Sequence, residues 1–222
     1  MKVTDSQGSP QAFQNKRNAL IDASEDELVV FKFTSSAVTI GRNADEALVV
    51  HSDYCHQGNI PVIRTQMPHG SSGYHDSNEF RICAVVNRDS QFAFLRRPYT
   101  RRCTSAMGWQ TLRGIVVNAL HRLGVEARCM GNDIVVRIGR EDKKIGVITV
   151  PAFEKVLMFN VHILLDWDID TAEKAIKSKT DMRQKVKGLK ELGHNISIKQ
   201  MRDAFVTAWE EVFGKAVMGE VK

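Results

Sequence analysis

The chain has 222 residues, of which 43% are hydrophobic and 26% are charged, as expected of a globular protein with one large domain or two small ones. Its formal net charge of +5 is mild and does not by itself indicate a nucleic-acid-binding protein. It has no run of about eighteen apolar residues and no apolar core near the N-terminus, so we expect an intracellular protein, cytoplasmic or mitochondrial, with no membrane partner.

Apolar periodicity predicts a succession of strands and helices. Strands are expected over 26–33, 37–42, 59–65, 79–86, 133–138, 143–150 and 155–168, and helices over 105–123, 168–179 and 197–214. We expect the segments 59–65 and 79–86 to pair, and the turn sequence Gly-Arg-Glu-Asp to join 133–138 to 143–150. This order predicts an α/β (α+β) domain with a largely antiparallel mixed sheet flanked by helices.

Two segments also predict which residues face the core. In 155–168 four apolar residues share one face of the strand: Leu157, Phe159, Val161 and Ile163. Ser197 precedes the last helix and Gln200 follows three residues later, which predicts a capping box. His162 lies on the opposite face of the long strand, and its residue type alone assigns it no role.

The stretch "HGSSGYHDSNEF" (69–80) is the first candidate for a binding site. Glycine has no Cβ and tolerates positive φ, so the backbone N–H groups of such a loop can converge on a carboxylate or phosphate. An ordinary Gly/Ser turn between two strands is the alternative interpretation.

A lysine within an apolar strand is the second candidate, because burying an ammonium group is costly unless it meets an anion. Strict alternation would place Lys144, Gly146 and Ile148 on one side, so we expect Gly146 to leave open space beside the lysine. An exposed edge-strand lysine is the alternative. Asn132 and Asp133, at the head of the preceding strand, could hold Mg²⁺ beside phosphates or simply mark a turn.

Two other stretches carry weaker signals. "HSDYCH" (51–56) brings two histidines and a cysteine together, which could ligate zinc with a fourth ligand or form a polar loop. Residues 88–103 hold five arginines and three aromatics, which could contact RNA phosphates or form a solvated loop. The four cysteines lack CxxC spacing, as is usual in a reducing compartment.

Taken in order, several segments resemble the catalytic domain of lipoate–protein ligases and lipoyltransferases. "VTIGRNADEA" (38–47) is similar to the family's "VVIGRNQNPW", and "GSSGYHDSNEF" (70–80) to its "GGGAVFHDLGN" loop. The segments 119–136 and 142–149 resemble those ending in "GRNDLVV" and containing "DRKVSGSA", and 185–214 resembles the family's final helical segment. Biotin–protein ligases share the fold, but their glycine/arginine-rich loop is not visible here.

The resemblance implies a biotin/lipoate ligase catalytic-domain fold, related to class II synthetases, and a role for each matching residue. Lys144 would be catalytic, placing positive charge between the acyl carbonyl and the α-phosphate. Asp133 would be a Mg²⁺ ligand. The implied substrate- and adenylate-binding residues are Gly70, Ser71, Ser72, Gly73, Tyr74, His75, Asp76, Asn132 and Gly146.

The same resemblance implies the cofactors and partners. They are lipoate with ATP and Mg²⁺, or preformed lipoyl-AMP, and the acceptor is a lysine of a lipoyl carrier domain. Such domains belong to 2-oxoacid dehydrogenase acyltransferase subunits and the glycine-cleavage carrier protein. We expect one catalytic domain over 1–222 without the C-terminal accessory domain of many bacterial ligases, which makes an accessory chain a candidate partner.

The candidate loop departs from the family pattern. Thr65 and Gln66 replace two arginines, and His69 and Ser71 replace two glycines, which reduces phosphate neutralisation and adds Cβ atoms. An alternative hypothesis is therefore a catalytically degenerate member, a pseudoenzyme, that serves as a binding or structural module. Its partner would be RNA or another component of a protein or ribonucleoprotein assembly.

Overall fold

The computed structural model describes residues 2–65, 72–87, 101–151, 153–178, 180–214 and 217–218. Its strands are β1 (Lys2–Gly8), β2 (Glu27–Phe33), β3 (Ala37–Ile40), β4 (Val62–Arg64), β5 (Ser72–His75), β6 (Glu79–Asn87), β7 (Ala127–Met130), β8 (Asp133–Ile138), β9 (Glu141–Thr149), β10 (Val156–Leu164) and β11 (Val217–Met218). Its helices are α1 (Pro10–Ala23), α2 (Glu46–Val49), α3 (Ser52–Gln57), α4 (Arg101–Arg122), α5 (Ile169–Ala175), α6 (Met182–Lys185) and α7 (Ile198–Phe213).

Eight strands form one mixed sheet in the order β11-β1-β2-β6-β10-β9-β8-β7. β1 runs parallel to both of its neighbours, whereas the pairs from β2 to β7 are antiparallel. Strands β3, β4 and β5 form a second, smaller sheet in the order β4-β3-β5. The expected mixed, largely antiparallel sheet flanked by helices is therefore confirmed.

The two faces of the large sheet bury different clusters. On one face, α4 and α7 cover the largest apolar core, which includes the predicted residues Leu157, Phe159, Val161 and Ile163. On the other face, Phe13 and Leu20 of α1 pack on alternate residues of β2, β6 and β10. A third cluster joins the small sheet to helices α2, α3 and α5.

Local signals predicted the boundaries of several elements correctly. Ser197 accepts a hydrogen bond from the backbone N–H of Gln200, whose side chain bonds back to the Ser197 backbone, so the capping box is confirmed. Asp168 caps α5, and strands β8 and β9 form the expected hairpin. The long strand is shorter than predicted, ending at Leu164, and α5 ends at Ala175 rather than at residue 179.

Long-range pairing was predicted less well. The segments 59–65 and 79–86 do not pair: β4 runs beside β3 in the small sheet, whereas β6 lies between β2 and β10. Sequence periodicity missed β1 and α1, although Ser9 followed by Pro10 is a helix-start signal. Among the described residues, no helix is both long and apolar enough to cross a membrane.

Candidate active site

A cavity of about 600 Å³ lies between the large sheet, α1 and β5. The lining side chains of β6 and β10 are those that alternate with the core residues, so they point away from α4 and α7. Arg81 and His162 are cross-strand partners on this face, and Val147 of β9 lies next in the same row. The volume is in the range of sites for small ligands and cofactors.

Lys144, which lines this cavity, forms an ion pair with Asp133, which lies outside the lining. Lys144 is a lining residue, and its Nζ atom is 2.6 Å from Oδ1 of Asp133. Their side chains retain 37% and 44% of their exposure, so the pair is open to solvent. Asn132 also lines the cavity, so the structure places Lys144, Asn132 and Asp133 close together.

A β-bulge determines which way Lys144 points. Ile134 pairs with Gly146 while Val135 pairs with Lys144, so Ile145 is an extra residue in β9. The side chains of Ile145 and Ile148 lie in the apolar core, whereas Lys144 lines the cavity. The prediction that strict alternation places Lys144 and Ile148 on one side is wrong because the bulge shifts the register.

Gly146 has a different role from the one expected. A Cβ atom at this position would lie 2.2 Å from the carbonyl oxygen of His162 in β10. The glycine therefore lets two strands approach closely and does not leave open space beside Lys144. It remains a lining residue of the cavity through its backbone.

Part of the predicted glycine-rich loop forms the wall of the cavity. Ser72, Gly73, Tyr74 and His75 make up β5 and line the cavity. The hydroxyl of Ser72 donates to the carbonyl of Val49, and that of Tyr74 donates to Ser36. Gly70 and Ser71 lie outside the described residues, as do Gln66 and His69.

Asp76 supports the wall rather than lining it. Its carboxylate accepts hydrogen bonds from the backbone N–H groups of Asn78, at 2.8 Å, and Asp168, at 2.9 Å. Burial raises the pKa of Asp76 to about 6, against the effect of these two hydrogen bonds. The residue therefore ties the end of β5 to the start of α5.

Below β5, four ionisable side chains form a compact cluster. Nη2 of Arg81 lies 2.8 Å from Nδ1 of His75, 2.6 Å from Nδ1 of His162 and 3.2 Å from Oε2 of Glu79. Nε2 of His75 lies 2.8 Å from Oγ1 of Thr39. We therefore assign neutral rings to both histidines: Nδ1 of His162 accepts from the guanidinium, whereas Nδ1 of His75 also faces the Glu79 carboxylate oxygens, at 3.1 Å and 3.2 Å.

Electrostatics agree with that assignment. Burial lowers the pKa of His75 and takes that of His162 well below its ordinary value. Burial also lowers the pKa of Arg81 to about 10, which leaves it protonated at neutral pH. Although burial alone raises the pKa of the Glu79 carboxyl, His75 and Arg81 bring it below its ordinary value. Glu79 and Arg81 are consequently a buried ion pair.

The same cluster has the composition of a metal site. Ligand atoms of His75, Glu79 and His162 lie within 4.8 Å of one another. However, the Arg81 guanidinium contacts all three of these residues. Its Cζ atom lies 4.9 Å from the ring centroid of Phe13 and 4.6 Å from that of Phe33. A cation from the chain itself already occupies the position that a metal ion would take.

Helix α1 closes the inner end of the cavity with polar side chains. Gln14 and Arg17 are each 6% exposed and line the cavity. Oε1 of Gln14 and Nε of Arg17 have no hydrogen-bond partner within the described parts of the chain. Sequence analysis missed both residues, because only the tertiary structure brings α1 over β6 and β10. In contrast, Glu79 and Arg81 alternate with apolar residues in β6, and this pattern in the sequence indicates a polar face of the strand.

The possible zinc ligands of residues 51–56 do not form a metal site in the described structure. Cys55 is buried in the cluster beneath the small sheet, and its thiol donates to the carbonyl of Ala175 at 3.8 Å, whereas His51 and His56 are exposed. Burial raises the pKa of this thiol, which disfavours the thiolate that zinc binds. Residues 88–100 of the arginine-rich stretch lie outside the described residues.

The large mixed sheet supports a cavity of about 600 Å³ that Lys144 lines. The chain belongs to the lipoyl protein ligase A/B catalytic domain family, whose sequence profile matches residues 9–210. The family expected from the resemblance is thereby confirmed.

Two curated relatives illustrate the similarity. The chain is 24% identical over 155 residues to the lipoate–protein ligase of Streptococcus pyogenes serotype M5 (strain Manfredo), covering 69% of this chain and 40% of that protein. It is 25% identical over 174 residues to lipoate-protein ligase LplJ of Bacillus subtilis (strain 168), covering 78% and 47%. The chain thus spans less than half the length of these relatives.

Solved structures show the same fold. The bi-partite lipoate protein ligase of Thermoplasma acidophilum, studied with its E2 lipoyl domain, has a TM-score of 0.77 at 19% identity, over 99% of this chain and 88% of that one. A T. acidophilum protein with bound lipoic acid has a TM-score of 0.78 at 18% identity, over 100% and 89%. Lipoate-protein ligase A bound with ATP has a TM-score of 0.77 at 18% identity, over 99% and 90%.

Proposed function

We propose that the chain transfers a lipoyl or related acyl group, through an acyl-adenylate, to a lysine of a carrier domain. The partly exposed Lys144, which lines the cavity, is the observation that carries this proposal. The acyl chain would lie in the cavity, with its carboxyl group near the ammonium and the nucleotide on the solvent side. This placement keeps the reacting atoms accessible to both ATP and the acceptor.

The chemistry needs two displacements. In the first, a carboxylate oxygen of the acid attacks the α-phosphorus of ATP, and pyrophosphate leaves. In the second, the neutral amine of the acceptor lysine attacks the acyl carbonyl carbon, AMP leaves, and the amine loses a proton. Lys144 would stabilise negative charge on the carbonyl and phosphate oxygens in both transition states.

Asp133 is the residue best suited to a magnesium ion in this arrangement. Its carboxylate and the side chain of Asn132 supply the oxygen ligands that Mg²⁺ takes together with phosphates. A bound Mg²⁺ would neutralise phosphate charge during adenylation. Because Asp133 is paired with Lys144, binding of the nucleotide and the ion would separate the pair and release the ammonium toward the substrate.

We propose lipoyl carrier domains as acceptors, including those of 2-oxoacid dehydrogenase acyltransferase subunits and the glycine-cleavage system. A neighbour in fold was studied with its E2 lipoyl domain, and two others carry lipoic acid and ATP, which supports lipoate and ATP as substrates. Preformed lipoyl-AMP remains an alternative donor, used either by this chain alone or with an accessory chain.

A mass-shift assay tests the proposal. The protein is incubated with a lipoyl carrier domain, lipoate and Mg-ATP, and in parallel with lipoyl-AMP alone, and the carrier is examined for the added lipoyl mass. Lys144→Ala should slow the transfer by about 10²–10³-fold, the loss typical of removing one transition-state donor. Lys143→Ala is the matched control, because the Lys143 ammonium bonds to Glu141 and the carbonyl of Gln184.

Two results would refute the proposal. One is failure of the folded wild-type protein to modify the carrier from either donor. The other is transfer by Lys144→Ala at the wild-type rate.

A further inference from the structure

The inner end of the cavity holds a cation whose charge the described residues do not balance. Arg17 is 6% exposed and lines the cavity, and within the described parts of the chain its guanidinium takes part in no hydrogen bond or ion pair. Arg81, which also lines the cavity, is cationic as well. A buried charge without a counter-charge costs several kcal/mol, so the arrangement favours an anion beside Arg17.

The other charges around the cavity are already matched. Glu79 balances Arg81, and Asp133 balances Lys144. Glu27, which is also buried, faces the ammonium groups of Lys2 and Lys16 at 3.9 Å and 3.6 Å. The two histidines of the cluster are neutral, as derived above. Arg17 is thus the one cation lining the cavity without a partner among the described residues.

Other polar side chains that line the same cavity also have buried atoms that are unpaired among the described residues. Oε1 of Gln14, Oδ1 of Asn160 and Nε of Arg81 are buried and have no partner within the described parts of the chain. Gln14 lies on the same helix as Arg17, and a rotation of its terminal amide would present N–H donors to the cavity. A guanidinium and an amide placed together can bind a carboxylate through several parallel hydrogen bonds.

The distance from Lys144 to this polar end suits an acyl chain. Lys144 lies on β9, and β10 separates that strand from β6, which carries Arg81 below α1. Two strand spacings are roughly 10 Å. A medium-length acyl chain could span this distance with its carboxyl group at Lys144 and its far end at Arg17.

We propose that the cavity selects an acyl chain whose far end carries an anionic group, such as a second carboxylate, and that Arg17 and Gln14 determine this specificity. The inference rests on the proposed acyl transfer and names its substrate class. An apolar chain end would leave the charge of Arg17 buried and unmatched, whereas a distal carboxylate would bind it and the Gln14 amide.

Titration calorimetry with two acids that differ only at the far end tests the proposal. The full chain, without ATP or acceptor, is titrated with octanoate and with octanedioate. We expect wild type to bind octanedioate about tenfold or more tightly, the gain of a charge-assisted hydrogen-bonded pair. Arg17→Met should lose or reverse this preference, and Arg17→Lys should retain part of it.

Arg128→Met is the control for net charge, because Arg128 is an exposed residue that pairs with Asp142 on β9. It should keep the wild-type preference. The proposal is overturned if wild type binds octanoate as tightly as octanedioate, if it binds neither of them, or if Arg17→Met keeps the preference. The wild-type comparison decides the matter even if Arg17→Met does not fold. Because no transfer step is involved, failure of the carrier assay and failure of this test are separate results.

Discussion

The Nζ atom of Lys144, a residue that lines the cavity, and the Oδ1 atom of Asp133 form a 2.6 Å ion pair. Each side chain is more than a third exposed, so solvent screens the attraction and the pair adds little to folding stability. The pair would instead position Lys144, because the Asp133 carboxylate would hold the ammonium group beside the cavity until nucleotide phosphates take the place of the carboxylate.

We predict that Asp133→Asn separates these two effects. The free energy of unfolding should change by less than about 1 kcal/mol, because the pair is exposed. Transfer to the carrier domain should nevertheless fall at least tenfold if Asp133 also serves the Mg-nucleotide. Denaturant unfolding and the mass-shift assay measure the two quantities. Unchanged transfer would remove Asp133 from the site.

Gly146→Ala should be strongly destabilising. The new methyl group would lie 2.2 Å from a backbone oxygen of His162, and moving a strand costs more than moving a side chain. We expect a loss of about 3 kcal/mol or more in the free energy of unfolding. Gly114→Ala in α4 is the control: its Cβ would meet nothing within 4 Å, and it should stabilise the protein by up to about 1 kcal/mol. Equal effects of the two substitutions would contradict the observed close approach.

Arg81→Met tests the buried ion pair. Removing the guanidinium leaves the Glu79 carboxylate buried without its partner, which should cost about 3–5 kcal/mol. The double variant Arg81→Met with Glu79→Gln removes both charges and should recover part of that loss. Urea unfolding of the wild type, both single variants and the double variant gives the coupling energy. Simple additivity would show that the two charges are independent.

Asp76 should make stability fall as the pH rises from about 4 to 6. Its pKa is about 6 in the folded protein and 3.8 in the unfolded chain, so over this interval the folded state binds the additional proton. The total loss from this group is about 3 kcal/mol and is complete above pH 6. The neighbouring carboxylates of Glu79 and Asp168 act in the same direction as burial.

Asp76→Asn isolates this contribution. The variant loses one of two accepted hydrogen bonds, a constant cost of about 1 kcal/mol. The free energy of unfolding of the wild type minus that of the variant should therefore decrease between pH 4 and 6. His75 and His162 have lowered pKa values and destabilise the folded state below their unfolded pKa of 6.5, but both proteins share this effect. A difference that stays constant with pH would show that Asp76 titrates normally.

The elements that were predictable from sequence are those determined by neighbours along the chain. The capping box of Ser197 and Gln200 and the buried face of β10 depend on residues at most a few positions apart. The pairing of β3 with β4 and β5 depends on contacts between distant segments, for which periodicity carries no information. The same limit applies to the site: Lys144 was identifiable in its strand, but Arg17 lies 127 residues earlier in the chain and was not.

The extra residue Ile145 has a consequence for engineering and for aligning related chains. Deleting it would restore regular pairing between β8 and β9. The side chains of the residues before it in β9 would then move to the opposite face of the sheet. The ammonium group would then point into the apolar core, where the side chain of Ile145 now lies. A homologue that retains the lysine but lacks the inserted position would therefore not present its ammonium group to the cavity.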